Sequence, residues 1–123
     1  MTVPILKQGG ILIASVQSEP SDTELIQLRD NLLERVGTLR TSGVIIDVTA
    51  LDVIDSFAAR VLSNIAQMVR LRGANTVIAG IQADVAFSMI QLGLAFQGVT
   101  TVLDLEEALS VLAEAGESSD GSN

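Results

Sequence analysis

The fold of this chain follows from one stretch, Val44-Ile45-Ile46-Asp47-Val48-Thr49-Ala50-Leu51-Asp52-Val53-Ile54-Asp55-Ser56-Phe57, and from the residues on either side of it. Its first five residues are nearly all apolar, which is typical of a strand buried on both faces of a parallel sheet. From Ser56 onward the apolar residues recur at helical spacing, at Ala58, Val61, Leu62, Ile65, Met68 and Val69. A buried strand that leads through a loop into an amphipathic helix predicts an α/β fold.

The residues before this stretch predict a hairpin and a helix. Two short apolar runs, Val3–Leu6 and Ile11–Val16, are separated by Gln8-Gly9-Gly10, and Gly-Gly is a hairpin signal. Ser21 is followed three residues later by Glu24, which is a capping box that indicates the start of a helix. The apolar residues of that helix recur at the required spacing, at Leu25, Leu28, Leu32, Val36 and Leu39.

The residues after the stretch continue to alternate strand and helix. Asn75–Gly80 predicts a strand, Ala83–Leu92 a short helix, and Val99–Leu103 a last strand. Asp104 and Glu107 repeat the capping-box spacing and predict a final helix.

The predicted order of elements is β-β-α-β-α-β-α-β-α. It predicts an α/β domain with a mixed, mostly parallel sheet, an N-terminal β-hairpin and about four helices. We expect this single domain to cover residues 1–116. Residues 117–123 contain no apolar residue apart from glycine, so we expect them to form a disordered tail.

The composition fits one domain and argues against several classes of function. The chain has 123 residues, of which 48% are hydrophobic, so an aliphatic core is expected. Its net charge of −8 argues against binding to nucleic acid or to an anionic membrane, since both need clustered Lys and Arg. Without Cys or His there are no disulfides, thiol nucleophiles, Ser-His-Asp chemistry or His and Cys metal sites. No signal peptide or membrane-spanning stretch is recognisable, so we expect a soluble, cytoplasmic protein.

The densest group of polar side chains runs from the end of the third predicted strand into the second predicted helix: Asp47, Thr49, Asp52, Asp55 and Ser56. Ligands gather outside the carboxyl ends of strands in open α/β sheets, so this is a reasonable place for a functional site. The simplest of three interpretations is structural. Ser56 is then the N-cap of the helix, and its hydroxyl accepts from the amide of Ala58 or Ala59.

A second interpretation makes Asp47 the phosphoacceptor of a receiver-type domain. Such domains hold Mg²⁺ with an acidic pair after their first strand, but the corresponding segment here, Ala14–Gln17, has no carboxylate. They also need a Lys after the last strand, whereas Lys7 is the only Lys of this chain. This interpretation is therefore disfavoured.

The third interpretation rests on a resemblance. The stretch from Asp47 to Phe57 resembles the phosphorylation segment of STAS domains, a family that includes anti-anti-sigma factors and stressosome proteins. In that family a strand ends in Asp, and Asp-Ser or Asp-Thr opens the following helix. Gly80–Ala86 is similar to the Gly-Ile-x-Pro-x-Val-Ala segment of the stressosome branch, with Ala83 in place of Pro, and Leu92-Gly93-Leu94 fits the next segment of that branch. The resemblance extends over about residues 3–115.

Within this family the chain resembles the small scaffold proteins of the stressosome. We expect it to be a lone STAS domain, whereas RsbR-type paralogues carry an additional N-terminal sensor domain. Its acceptor is Ser56, where those paralogues usually have Thr. Its helix opens Asp55-Ser56-Phe57-Ala58, whereas simple anti-anti-sigma factors tend to have Gly at or near the last of these positions.

The resemblance implies a non-catalytic phospho-switch without a metal or cofactor. An RsbT-like serine kinase would phosphorylate Ser56, and an RsbX-like phosphatase would reverse the modification. Before phosphorylation, the protein would self-associate and hold the kinase in a large complex with RsbR-type paralogues, and phosphorylation would release it to start a stress response. The environment of the phosphosite would be Asp47, Thr49, Asp52, Asp55 and Phe57.

Several alternatives stay open at the level of sequence. Ser88 aligns with a second phosphorylated Thr of RsbR-type paralogues, but it also fits an ordinary polar residue on the outer face of the third helix. The chain could instead be an anti-anti-sigma factor that binds an anti-sigma kinase directly. A nucleotide-binding STAS domain lacks support, because no Gly-rich phosphate loop follows a strand. No Arg or Lys lies between Thr41 and Ala59, so a phosphate on Ser56 should act mainly by repelling a docked partner.

Overall fold

The computed structural model describes residues 3–38, 40–91 and 99–121, with side chains as far as Glu114. It confirms the α/β class and the predicted order of elements. The strands are β1 (Ile5–Gln8), β2 (Ile11–Ser15), β3 (Gly43–Asp47), β4 (Asn75–Ala79) and β5 (Thr100–Val102). The helices are α1 (Asp22–Thr38), α2 (Ser56–Leu71), α3 (Ala83–Gln91) and α4 (Leu105–Gly121).

The five strands form one mixed sheet in the order β1-β2-β3-β4-β5. β1 is antiparallel to β2, and every other neighbouring pair is parallel. The register places Ser15 beside Asp47 and Asp47 beside Ala79 at the carboxyl ends of β2, β3 and β4. The loops that follow these three strands therefore lie together at the carboxyl-terminal end of the sheet.

The Gly-Gly hairpin predicted at the N-terminus is confirmed. Gln8 pairs with Ile11, so Gly9 and Gly10 are the two residues of the turn, and Gly9 has a φ of 60°. That left-handed conformation favours glycine because it has no Cβ. β1 is Ile5–Gln8 and not Val3–Leu6, since pairing continues along the strand up to the turn.

Helices α1 and α4 begin where their capping boxes place them. In α1 the amide of Ser21 donates to Oε1 of Glu24 at 3.1 Å, and the amide of Glu24 donates to Oγ of Ser21 at 3.1 Å. Before α4 the amide of Glu107 donates to Oδ1 of Asp104 at 2.8 Å. These side chains satisfy amides that have no partner within the first helical turn.

The sheet is covered by α1, α2 and α3 on one face and by α4 on the other. The larger core packs Val44 and Ile46 of β3 against the helices of the first face. Ile45 points to the opposite face and packs with Ala108 and Leu112 of α4. Because successive residues of β3 are buried on opposite faces, the strand predicted to be buried on both sides is confirmed.

Several predicted boundaries shift by a few residues. β4 ends at Ala79, since Gly80 turns the chain with a φ of 82°. Leu39 and Leu92-Gly93-Leu94 lie outside the described residues. The predicted limit between domain and tail, after residue 116, falls inside α4, and this division of the chain stays a prediction. None of the helices in the described ranges combines the length and apolar composition needed to span a membrane.

Candidate functional site

The loop between β3 and α2 carries the polar side chains that the sequence singles out. Asp47 ends β3 and is half-buried, and Phe57 packs against the core from the first turn of α2. The remaining members of the group are exposed: Thr49, Asp52, Asp55 and Ser56. The structure thus brings the predicted residues together at the carboxyl end of the sheet, as the strand order requires.

This loop is anchored along its whole length by apolar side chains. Val48, Leu51 and Ile54 are each at most 4% exposed and belong to the larger core. The amide of Leu51 donates to the carbonyl of Val48 at 2.9 Å, which closes a turn within the loop. Buried residues therefore alternate with exposed acids, and Ser56 is presented by a folded segment rather than by an extended peptide.

The carboxylate of Asp47 is engaged in holding the start of the loop. Its Oδ1 accepts from the amide of Thr49 at 2.9 Å and from the hydroxyl of Thr49 at 2.6 Å. An Asp side chain that bonds to the backbone two residues later favours a turn. Asp47 is thus explained as a structural residue, in line with the poor fit of the receiver-type interpretation. Among residues 3–38, 40–91 and 99–121, no group of three or more Asp, Glu, His or Cys side chains could hold a metal ion.

Two residues that sequence reasoning did not assign to the site complete this anchor. Nε2 of Gln82 donates to the carbonyl of Thr49 at 2.6 Å, which joins the loop between β3 and α2 to the segment before α3. Gly80 faces Thr49 so closely that a Cβ built on Gly80 would clash with Oγ1 of Thr49. The available signal was a glycine at the end of a predicted strand, but only the fold shows what approaches it.

The structural interpretation, in which Ser56 is the N-cap of α2, is wrong. The N-cap is Asp55, whose backbone is extended and whose Oδ1 accepts from the amide of Ala58 at 2.7 Å. Ser56 is the first residue of the helix proper. A carboxylate at the cap also interacts favourably with the positive end of the helix dipole, which a hydroxyl does much less.

Because Asp55 supplies the cap, the hydroxyl of Ser56 is left accessible. Ser56 is exposed, and its side chain makes no hydrogen bond to any of the described residues. Arg60 is also exposed and lies four residues further along α2, on the same helix face. Arg60 directly follows the stretch from Thr41 to Ala59, which contains no Lys or Arg. A phosphate on Ser56 would therefore have the guanidinium of Arg60 within one helical turn.

Ser88 has a different environment. It is half-buried in α3, and its hydroxyl donates to the carbonyl of Asp84 at 3.1 Å. Such a bond to the preceding turn is ordinary for Ser within a helix. It lies between the buried Val85 and Met89, and modification of Ser88 stays a prediction.

A family model, related sequences and solved structures all identify the same family for this chain. The family model described as the STAS domain matches residues 2–108. The RsbT co-antagonist protein RsbRD of Bacillus subtilis is 26% identical over 111 residues, which are 89% of this chain and 40% of that protein. The chain therefore spans well under half the length of this curated relative.

Two solved structures match along nearly their whole length. RsbS of Moorella thermoacetica, solved with a serine-to-glutamate substitution, is 33% identical with a TM-score of 0.84. That match covers 94% of this chain and 97% of the solved chain. A chain from a study of the molecular architecture of the stressosome is 32% identical with a TM-score of 0.78, covering 92% and 98% of the two chains. The resemblance to small stressosome scaffold proteins is thereby confirmed.

Proposed function

The chain belongs to the STAS domain family, and from this premise we propose that it is a non-catalytic phospho-switch scaffold of a bacterial stressosome. In this proposal the protein holds a serine/threonine switch kinase of the RsbT type and releases it when Ser56 is phosphorylated. The proposal rests on one observation: the hydroxyl of Ser56 is accessible, because Asp55 supplies the cap of α2 at the end of an anchored loop. The likeness to RsbS along the whole domain supports the choice of branch.

The geometry favours a kinase substrate over an enzyme. A phosphoacceptor must offer a free hydroxyl to a second protein, and the exposed position of Ser56 does so. A catalyst needs a base within hydrogen-bonding reach of a nucleophile, and no side chain in the described ranges bonds to this hydroxyl. The chain carries no His, the usual base that activates a serine, and no Cys, which is a common nucleophile.

The same proposal specifies the partners. An RsbT-like kinase would dock over Ser56, and an RsbX-like phosphatase would reset it. RsbR-type paralogues, which are similar in sequence to this chain, would share the assembly in the cytoplasm. The environment of the phosphosite would consist of Asp47, Thr49, Asp52, Asp55 and Phe57, with Gln82 and Gly80 as supports.

Phosphorylation would act on the docked surface more than on the domain itself. A phosphate adds about −1.5 to −2 charge near neutral pH. An exposed ion pair between this phosphate and Arg60, one helical turn away, contributes only about 0.3–0.5 kcal/mol. The carboxylates of Asp52 and Asp55 are close in sequence and repel the phosphate. A kinase packed over Ser56 would instead have to accommodate a buried, doubly charged group. A coupling of about 1–3 kcal/mol changes its affinity roughly 5–150-fold.

The test combines phosphorylation with binding. Ser56→Ala is expected to bind the cognate kinase normally but to accept no phosphate, as measured by phosphopeptide mass spectrometry. Ser56→Asp is expected to weaken kinase binding roughly 5–150-fold in calorimetry while circular dichroism shows an intact fold. Ser88→Ala is the matched control: phosphorylation at Ser56 and binding of the kinase should both stay at the wild-type level. Phosphorylation of Ser56→Ala at the wild-type rate would contradict the proposal.

The size of the complex distinguishes a scaffold from a direct antagonist of an anti-sigma kinase. When mixed with an RsbR-type paralogue, a scaffold forms a very large particle that binds the kinase, as seen by light scattering. A small heterodimer with a kinase that itself binds a sigma factor would instead assign the chain to the direct antagonists.

A further inference from the structure

Large apolar side chains are exposed on α3 and directly after β5. Phe87 and Ile90 are three residues apart on α3, so they share one face of the helix, and they are 62% and 77% exposed. Leu103, the residue after β5, is 85% exposed. Single exposed apolar residues are ordinary on a protein surface. Here two elements that follow one another in the chain leave three such side chains in water.

A groove of about 270 Å³ belongs to the same region. Most of its lining is apolar, and it consists of Ile81, Ala86, Thr101, Val102, Leu103 and Glu107. Ala86 directly precedes Phe87, and Leu103 is itself one of the three exposed side chains. We therefore treat the groove, Phe87, Ile90 and Leu103 as one surface, the α3–β5 surface.

The α3–β5 surface lies at the same end of the sheet as Ser56. Its groove is built from residues at the carboxyl ends of β4 and β5, and these strands are parallel to β3. Gln82, the neighbour of Ile81 in the chain, donates from Nε2 to the carbonyl of Thr49 at 2.6 Å. That bond ties the segment before α3 to the loop that leads to Ser56. A partner of ordinary size covers about 800 Å² on each protein, so one partner can reach both.

A groove on the other side of the same loop does not add a separate surface. It also has a volume of about 270 Å³, and Leu25, Val53 and Asp55 are among the residues that line it. Because Asp55 is the cap beside Ser56, this groove is part of the site already described.

The charges around the α3–β5 surface all have the same sign. No Lys or Arg follows Arg72 in the sequence, so every charged side chain of α3 and α4 is an acid. Asp84 is exposed in the first turn of α3, and Glu107 lines the groove. Acids in a first helical turn are ordinary, since the helix dipole favours them. An apolar centre bordered by acids alone is nevertheless complementary to a partner whose apolar patch is bordered by Lys and Arg.

From the position, the exposed apolar side chains and the charge of this surface, we infer that it is where the kinase that modifies Ser56 docks. The inference rests on the proposed function, because it assigns a binding surface to the same partner. An apolar patch of the kinase, bordered by basic side chains, packs on Phe87 and Ile90 while the active site of the kinase reaches the hydroxyl of Ser56. The α3–β5 surface contributes binding and takes no part in the transfer of the phosphate.

Steady-state phosphorylation of the full chain by the cognate kinase tests this assignment. Phe87→Ser is expected to raise KM at least about tenfold, because an aromatic side chain at the centre of the contact is lost. The value of kcat should stay at the wild-type level, since the lost contact is made equally before and during the transfer. Leu6→Ser is the matched control. Leu6 is 68% exposed on β1, at the opposite edge of the sheet, and its loss should leave KM unchanged.

The possible results separate the docking surface from the proposed function itself. An unchanged KM for Phe87→Ser would overturn the docking surface, and so would a lower kcat with an unchanged KM, which would mean that Phe87 only supports the loop before Ser56. A wild type that is never phosphorylated on Ser56 would contradict the proposed function instead. Circular dichroism checks the fold of each variant, and Ile90→Ser gives a second test with the same expected result.

The charge of the partner is tested by calorimetry of kinase binding at several salt concentrations. Asp84→Lys should weaken binding at least about twofold at low salt, and the difference should shrink as salt screens the added charge. Glu34→Lys makes the same change in net charge on an exposed position of α1 and is expected to bind as the wild type does. Equal weakening by both variants would show that only the net charge matters, and it would contradict a basic partner at the α3–β5 surface.

Discussion

Gly80 is the backbone position on which the loop between β3 and α2 depends most directly. Its φ of 82° is in the left-handed region, and the space where its Cβ would stand is occupied by Thr49. Thr49 is in turn held by Asp47 and by Gln82. A side chain at Gly80 would therefore displace the start of the loop that presents Ser56.

Replacement of Gly80 by Ala is expected to lower the free energy of unfolding by about 2–4 kcal/mol. Backbone strain accounts for about 1–2 kcal/mol of this loss, and the clash with Thr49 accounts for the rest. Gly9→Ala is the matched control, because Gly9 has a similar φ of 60° but nothing within 4 Å of the added methyl group. It should lose only the strain, about 1–2 kcal/mol. Urea unfolding of both variants checks the difference, and equal losses would show that the contact with Thr49 is unimportant.

The assignment of the α2 cap makes a second prediction about single residues. Asp55→Ala is expected to lower the free energy of unfolding by about 1 kcal/mol, because the amide of Ala58 loses its partner. Ser56→Ala should change the free energy of unfolding by less than about 0.5 kcal/mol, since the hydroxyl of Ser56 makes no hydrogen bond to the described residues. Thermal and urea unfolding measure both values. A larger loss for Ser56→Ala than for Asp55→Ala would restore Ser56 as the cap.

At the scale of elements, both hydrogen bonds and charge stabilise the N-terminus of α1. The pKa of Glu24 lies below its ordinary value of 4.5, first because the amide of Ser21 donates to its carboxylate, and second because of the Ser21 side chain. A carboxyl group whose pKa is lower in the folded state stabilises the fold when ionised. Its contribution is complete above pH 4.5 and is lost as the pH falls through the lower pKa of the folded state.

The capping box of α1 should therefore contribute to acid sensitivity. Glu24→Gln is expected to make the free energy of unfolding depend less steeply on pH below the ordinary Glu pKa, because this one titration is removed. Above that pH the variant should be slightly less stable than the wild type, since a charged acceptor is lost at the helix N-terminus. Urea unfolding across a series of pH values measures the slope. Glu34→Gln, on an exposed position late in the same helix, is the control, and an equal flattening there would refute the assignment.

At the scale of the whole molecule, Ser56 is presented by the tertiary fold. The loop before it is held by the buried side chains of Val48, Leu51 and Ile54, and Ser56 itself lies in the first turn of α2. Under the proposed function, a kinase that docks on this surface would recognise a folded shape. That shape would depend on residues far from Ser56 in sequence, such as Gln82, which supports the loop.

A synthetic peptide of residues 44–62 is accordingly expected to be a poor substrate. It lacks the sheet and helices that bury its apolar residues, and a helix this short is marginal in water without tertiary contacts. Its phosphorylation by the cognate kinase should be at least about tenfold slower than that of the whole domain at equal concentration, as followed by mass spectrometry. Phosphorylation of peptide and domain at the same rate would mean that the kinase reads linear sequence only.

Much of the fold was determined by the sequence itself, because its signals are local. Gly9-Gly10, the Ser21–Glu24 box and the spacing of apolar residues each act within a few residues along the chain. The continuous apolar run of β3 also required helices on both faces of the sheet. The segment that carries the candidate site was recognisable because its residues are contiguous, from Asp47 to Phe57.

Tertiary structure alone decided which residues support that segment and what surrounds it. The contacts of Thr49 with Gly80 and Gln82 join residues more than thirty positions apart, and no local pattern predicts such an approach. The choice of Asp55 over Ser56 as the cap depended on the backbone path at the end of an anchored loop. The groove lined by Leu25 and Val53 also exists only once α1 and α2 pack side by side, because its walls come from both helices and the segments before them.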